Sequence, residues 1–475
     1  MQDNYVEILK GQKKELARLM VEPSLIERRE LTKIDLDSHM AQIVIGVRRC
    51  GKSVLCRMAL AKGGVNFGYI DFDDETLANL KAKDLNDVLE AAYEVYGPFE
   101  HLFLDEVQDV PSWQLFVNRL LRQGMHLVIT GSNSRLLSSE LATHLTGRFM
   151  SVELMPFTFA EYRRYLRRGE VELAEGRAEA RRDFDVYFEN GGFPETFTVS
   201  DRKTYFKLLY DSILFRDILR RHKVRNPKLL MDVAYVMMNN FACEVSALKL
   251  ARQLNVKGVH TVQNYIRYLE EGYVIETISL YGRKAWERTR IGKSYAIDVG
   301  FANYFTGLLA GDEKFGRCLE NIVFLQLRNR RSELDFDVYF WKDQTCEIDF
   351  LCERRGRVMK LIQVAYDIKS EKTRRRELSA LFAAGKKFKC DDLVLVTDRV
   401  NETVKEGRQT VRIVDVVTWL LETDREKIRD DLFAKGRGAA EEAKKIIAER
   451  PNARVRAVGE VAVGARTRDE RRAEA

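Results

Sequence analysis

Residues 42–60 read QIVIGVRRCGKSVLCRMAL, and the centre of that stretch decides the fold. Gln42–Gly46 is an apolar run that predicts a strand, and the residues from Lys52 onward predict a helix. Between them lies Gly46-x-x-x-x-Gly51-Lys52-Ser53. Glycine is required where a backbone turns sharply and comes within touching distance of an anion. Successive N–H groups of Val47, Arg48, Arg49, Cys50, Gly51 and Val54 can then cradle phosphates at the helix N-terminus. Lys52 reaches the outer phosphates, and Ser53 offers a hydroxyl to Mg²⁺. This is a phosphate-binding loop, and ATP with Mg²⁺ is the expected ligand pair. Cys50 carries two readings: a small residue that fits the loop, or a thiol whose pKa the helix dipole lowers, making binding redox-sensitive.

Working outward, short apolar strands alternate with helices from 40 to 155. The expected strands are Gln42–Gly46, Phe67–Phe72, His101–Asp105, Leu127–Gly131 and Met150–Leu154, with helices such as 52–61 and 112–123, the latter N-capped by Ser112. Such alternation predicts an α/β fold with a parallel sheet covered on both faces. HLFLDEVQDV ends a strand in Asp105-Glu106. There Asp105 can hold Mg²⁺ and Glu106 can polarise an attacking water. The next strand ends in small polar residues, of which Ser132 or Asn133 can orient water or sense the γ-phosphate; an ordinary strand-to-helix turn is the alternative. Arg148, just before the last strand, can meet transferred charge or be a plain surface arginine.

Composition limits the remaining chemistry. The chain has 475 residues, enough for about three domains. Its net charge is only +7, too small for a whole-molecule polyanion binder, so any nucleic-acid contact must be local. Seven Cys without a C-x-x-C pair, and six scattered His, argue against structural zinc and disulfides and for an oxygen-bound metal. Seven Pro, roughly a third of ordinary usage, favour long helices over Pro-rich linkers. No apolar run approaches a membrane span, and the polar start lacks the apolar centre of a secretory signal, so a soluble cytoplasmic protein is expected.

The rest of the chain divides by character. The expected division is an ATPase core at 1–155, a helical lid region at 156–225, a winged-helix-like module at 226–310, a second α/β domain at 311–423, and a charged, disordered tail at 424–475. The charged run 163–183 reads as a solvated helical face. VSALKLARQLN and TVQNYIRYLEEGYVIETI give two helices leading into a strand. Helix 261–271 can face DNA, with Arg283, Lys284, Arg288, Arg290 and Lys293 on a basic wing; protein packing is the equal alternative, and Glu270-Glu271 disfavours deep groove entry.

Taken together, GVRRCGKS, FLDEVQ, ITGSNSRLLSSELATHLTGR, ELMPFTFAEY and GGFPE resemble prokaryotic AAA-superfamily ATPases, specifically a branch with a C-terminal restriction-endonuclease-like domain. The resemblance covers roughly 20–422. It implies Asp105 and Glu106 as the acids of the site, Asn133 near the sensor position, Arg148 as finger or sensor arginine, and Gly191–Pro194 as a lid hinge. Restriction-type nucleases use a helix Glu, a strand Asp, then Glu-x-Lys. Here the matching positions are Glu320, Asp349 and Gln363, with Ala365 where Lys belongs, so a degenerate nuclease site is expected. Three accounts follow: an ATP-hydrolysing switch, an ATP-regulated DNA-binding regulator with little turnover, and an ATP-gated nuclease. Nucleotide, DNA and a protein partner are the candidate partners.

Overall fold

Strand β1 (Ala41–Gly46) is buried along its whole length, as expected for the centre of a sheet with both faces covered. It sits between β4 (His126–Gly131) and β5 (Phe149–Leu154), and β3 (His101–Asp105) and β2 (Phe67–Asp71) complete the order β2-β3-β4-β1-β5. All pairings are parallel. Successive side chains of β1 point to opposite faces. Val44 therefore joins one core, while Ile43 and Ile45 join another that includes Val88, Leu102, Leu104 and Val117. The computed structural model describes residues 2–20, 26–132, 145, 147–169, 174–282, 292–306 and 312–425. The tail expectation beyond 425 lies outside them.

The strand expectations match to within a residue at each end. Ser112 does precede helix Trp113–Arg122, but its backbone is left-handed and its side chain makes no capping bond. The charged run after 160 is not simply solvated. Arg163 is buried against Asp183, 3.2 Å away, and Glu161 is buried against Arg28. Ionic partners on neighbouring segments draw these charges inside, a pairing that composition cannot show.

Beyond the parallel sheet, helix Arg202–Ser212 runs into a π-helical segment, Ile213–Leu219. Helix Pro227–Asn239, β6 (Cys243–Val245), helices Ala247–Gln253 and Val259–Glu271, β7 (Ile275–Ser279) and β8 (Gly292–Ala296) follow. Their three strands form an antiparallel sheet of order β6-β8-β7. Helix Asp312–Leu334 then leads to a six-stranded mixed sheet. It contains β9 (Asp337–Lys342), β10 (Glu347–Arg354), β11 (Arg357–Ala365), β12 (Leu393–Thr397), β13 (Glu402–Glu406) and β14 (Gln409–Asp415), ordered β13-β14-β12-β11-β10-β9. Helix Glu371–Phe388 covers one face through Leu381 and Ala384.

One buried apolar cluster runs from Val44 and Phe103 through Phe193 and Phe301 to Phe324 and Ile362, joining all three sheets. A buried ionic knot lies at the same junction. Arg328, on the helix before β9, bonds Glu153 of β5 at 2.9 Å and also Glu276 of β7. Burial opposes the charge on Glu276, yet Arg328 and Arg331 hold its carboxyl below the usual range.

Candidate functional site

The phosphate loop leaves the end of β1 and closes onto helix Lys52–Gly63. Gly46 has φ +147°, and a Cβ there would lie 1.9 Å from the Leu154 carbonyl oxygen. Only glycine lets β1 end this close to β5. Arg49 takes a left-handed φ of 65°, which turns the loop back over the helix N-terminus, where the peptide dipoles favour anions. Cys50 is buried and donates to the Leu154 carbonyl. Burial pushes its thiol pKa up, which favours the reading of Cys50 as a small residue that fits the loop.

Asp105 and Glu106 meet the loop from the end of β3. Ser53 Oγ donates to Asp105 at 2.9 Å, and Thr130 on β4 donates to the same carboxylate oxygen. Burial pushes the Asp105 carboxyl up, with the Thr130 and Ser53 bonds and Lys52 opposing it. Asp71, its register partner on β2, is likewise raised by burial and by Asp105, to about 7. A hydroxyl and carboxylates crowded until they resist ionising fit a hard divalent cation, which would restore their charge.

Glu106 sits at φ 52°, unusual for a non-glycine residue, with its N–H bonded to Thr130 Oγ1 at 3.0 Å. Lys52 Nζ lies 3.8 Å from the Glu106 carboxylate and donates to the Val47 carbonyl at 3.1 Å. Burial alone would raise Glu106. Lys52, a hydrogen bond from Gln108, Arg48 and Arg221 together pull it below the usual range. A carboxylate kept ionised beside a lysine is equipped to orient and polarise water.

Residues outside the parallel sheet complete the site. Buried Asp217, in the π-helical segment, accepts from Arg48 at 3.2 Å and from Ser132 Oγ at 3.1 Å. Arg221 donates to Ser132 Oγ at 3.3 Å. Arg49 bonds Glu195 of the GGFPE turn at 2.7 Å. Sequence reading missed Asp217 and Arg221. Their one signal was an acid inside the apolar run ILFRDIL, and the π turn that aims it at the loop leaves no trace in spacing.

The turn itself is fastened by backbone. Phe157 N–H donates to the Gly192 carbonyl at 2.7 Å, and a Cβ on Gly192 would lie 2.1 Å from the Phe157 oxygen. Gly192 N–H in turn donates to buried Asp298.

The structure thus brings together Gly46–Val54, Asp105, Glu106 and Ser132, but not Arg148. β5 runs parallel to β1 with Phe149 opposite Ala41, which leaves exposed Arg148 at the far end of the sheet from the loop. Six strand residues put about 17 Å between them, more than a side chain spans. Asn133 and wing residues Arg283, Lys284, Arg288 and Arg290 lie outside the described residues. Lys293 is described, and the wing reading is corrected for it. It is buried, 3.0 Å from Asp349 and 2.8 Å from Glu320.

A parallel five-stranded sheet, a phosphate loop after its central strand and an acid pair on the neighbouring β3 define a P-loop nucleotide-binding domain of the ATPase type. A family model described as an AAA domain matches residues 38–163. Two further models, each described as a domain of unknown function (DUF8612 and DUF4143), match 181–312 and 315–416. The chain belongs to the family of the uncharacterized protein MJ1544 of Methanocaldococcus jannaschii, with 32% identity over 409 residues, 82% of this chain and 90% of that protein. An uncharacterized protein of Haemophilus influenzae is 28% identical over 403 residues, 81% of this chain and 95% of that protein. Among solved structures, AMPPCP-bound DnaA from Aquifex aeolicus aligns at 18% identity and TM-score 0.27, over 51% of this chain and 84% of that one. The RuvB Holliday junction branch migration motor of Thermotoga maritima aligns at 17% identity and TM-score 0.27, over 58% and 89%. Among the described residues no helix is long and apolar enough to cross a membrane.

Proposed function

We propose that this chain is a Mg²⁺-dependent, ATP-hydrolysing switch whose nucleotide state is felt by the helical and C-terminal regions. The observation that carries this reading is that two phosphate-loop arginines already hold carboxylates from beyond the parallel sheet, Arg48 to Asp217 and Arg49 to Glu195. Phosphates entering the loop compete with those carboxylates for the same cations, so occupancy changes the contacts of the π-helical segment and the GGFPE turn. Ser53 and Asp105 would hold Mg²⁺, which when bound supplies charge neutralisation on the phosphates. Lys52 exchanges Glu106 for phosphate oxygens, and Glu106 is then free to orient water. Arg148 is remote from its own loop, so any part it takes in hydrolysis needs a neighbouring copy of the chain, and it is otherwise a surface arginine. Binding of a fluorescent ATP analogue tests the site. Lys52→Ala should weaken it by about tenfold or more; unchanged affinity would remove the phosphate-loop assignment.

A second reading concerns DNA. The order helix, β6, two helices, β7, β8 suits a winged helix. The helix Val259–Glu271 leaves Gln263, Asn264 and Arg267 exposed, with Lys249, Arg252 and Lys257 exposed nearby. Those are residue types that read base edges and bind phosphates. The opposing acids are partly engaged within the fold, since Glu270 accepts from the Thr277 backbone at 3.2 Å and Glu271 lies 3.2 Å from His222. Duplex affinity should fall steeply as salt rises and weaken in Arg252→Ala. No binding at low salt defeats this reading.

A further inference from the structure

Lys293 stands on β8, the middle strand of the three-stranded sheet, yet its ammonium is buried in the carboxylates of the C-terminal domain. Nζ lies 2.8 Å from Glu320 on the long helix, 3.0 Å from Asp349 and 3.3 Å from Glu347, both on β10. A backbone bond and an ion pair fix this placement. Tyr281 N–H, just past β7, donates to the Phe340 carbonyl of β9 at 2.7 Å, and Lys342 of β9 pairs with Glu244 of β6. The two sheets are thereby held side by side.

Several of the oxygens that would serve a metal are already engaged. Asp349 gives one carboxylate oxygen to Lys293 and the other to the Val364 N–H, 3.0 Å away. Glu320 Oε1 accepts both Lys293 and, at 2.7 Å, the Tyr295 hydroxyl. Gln363 turns its carbonyl oxygen to the Asp349 N–H at 3.1 Å and its amide to Glu377 at 2.8 Å. Among the described residues no group of three or more His, Cys, Asp or Glu is arranged to hold a metal ion. Burial disfavours the charge on Lys293, but Asp349, Glu320, Tyr295 and Glu347 hold its pKa well above the ordinary value.

We propose that the Lys293 ammonium is the resident cation of the Glu320–Glu347–Asp349 cluster, filling the place of a divalent metal and closing the cluster to metal-dependent chemistry. The alternative, an amine that assists a metal-bound nucleophile, needs the carboxylates turned to the metal, whereas both Asp349 oxygens already carry a hydrogen bond within the fold. The inference does not depend on the nucleotide site, and its test does not read ATP.

Manganese titration by calorimetry on the full chain separates the outcomes, because Mn²⁺ at the phosphate loop is common to every variant. Lys293→Met should gain a further Mn²⁺ site, on the order of tenfold tighter than any the parent shows beyond the loop, and Lys293→Met with Asp349→Asn should lose it. A folded Lys293→Met that gains no site overturns the proposal. In the parent background Glu347→Gln, at the half-exposed member of the cluster, should leave Mn²⁺ binding unchanged. A loss of bound Mn²⁺ there, or Mg²⁺-dependent DNA cleavage by the parent chain that Lys293→Met abolishes, overturns it as well, whether or not the methionine variant opens a site.

Discussion

Glu106→Gln should bind ATP as the parent chain does and hydrolyse it about 10²–10⁴-fold more slowly. Glu106 is an ionised carboxylate 3.8 Å from Lys52, its backbone fixed to Thr130. Glutamine keeps the size and the bond to Gln108 but cannot accept a proton from water. Removing the negative charge also frees Lys52 for phosphate, so affinity should hold or rise. Single-turnover hydrolysis beside equilibrium binding separates the two effects. Equal turnover in variant and parent would show that Glu106 is not the group that activates water, and the switch would need another base. Asp217 is the next carboxylate in the site, but both its oxygens are bonded.

Arg328→Leu should lower stability by about 3–5 kcal/mol, because it takes a buried cation away from two carboxylates at a junction. Glu153 belongs to β5, Glu276 to β7 and Arg328 to the helix before β9, so the loss falls on the seam between all three sheets. Arg331 stays beside Glu276 at 2.6 Å and keeps that carboxylate partly compensated. Among the described residues Glu153 keeps the Tyr273 hydroxyl at 3.0 Å. Adding Glu153→Gln to the leucine variant should therefore recover part of the loss. Urea denaturation of the three proteins measures it. A cost below about 1 kcal/mol for Arg328→Leu would mean that water reaches the knot and screens it.

Much of the architecture was legible because it is written in patterns with a physical period. The apolar runs that end at Gly46, Asp105 and Gly131 could only be buried strands, and the glycine spacing of the loop admits few backbones. β13 was missed: ETVKE is polar and largely exposed at a sheet edge, where no core imposes alternation. The site was legible where one segment carried it, as at Gly46–Val54 and Asp105–Glu106. It was not legible where distant segments meet. Nothing local to Asp217 announces Arg48, 169 residues away. Lys293 illustrates the same limit more sharply. Read along the chain it is one more cation in a basic stretch, and only the side-by-side sheets make it a buried counter-ion. Arg148 was fairly placed before β5, and the parallel register then set it at the wrong end for its own loop.

The two close backbone approaches, Gly46 under the Leu154 carbonyl and Gly192 against Phe157, have a mechanical consequence. Side chains absorb small displacements by changing rotamer, whereas peptide groups in van der Waals contact do not compress. Leu154 and Phe157 are three residues apart, so these contacts form a short, stiff strut from the mouth of the phosphate loop to the GGFPE turn and, through Gly192 and Asp298, to the start of helix Val299–Thr306. A shift of a few tenths of an ångström at β1 should therefore be felt at the GGFPE turn.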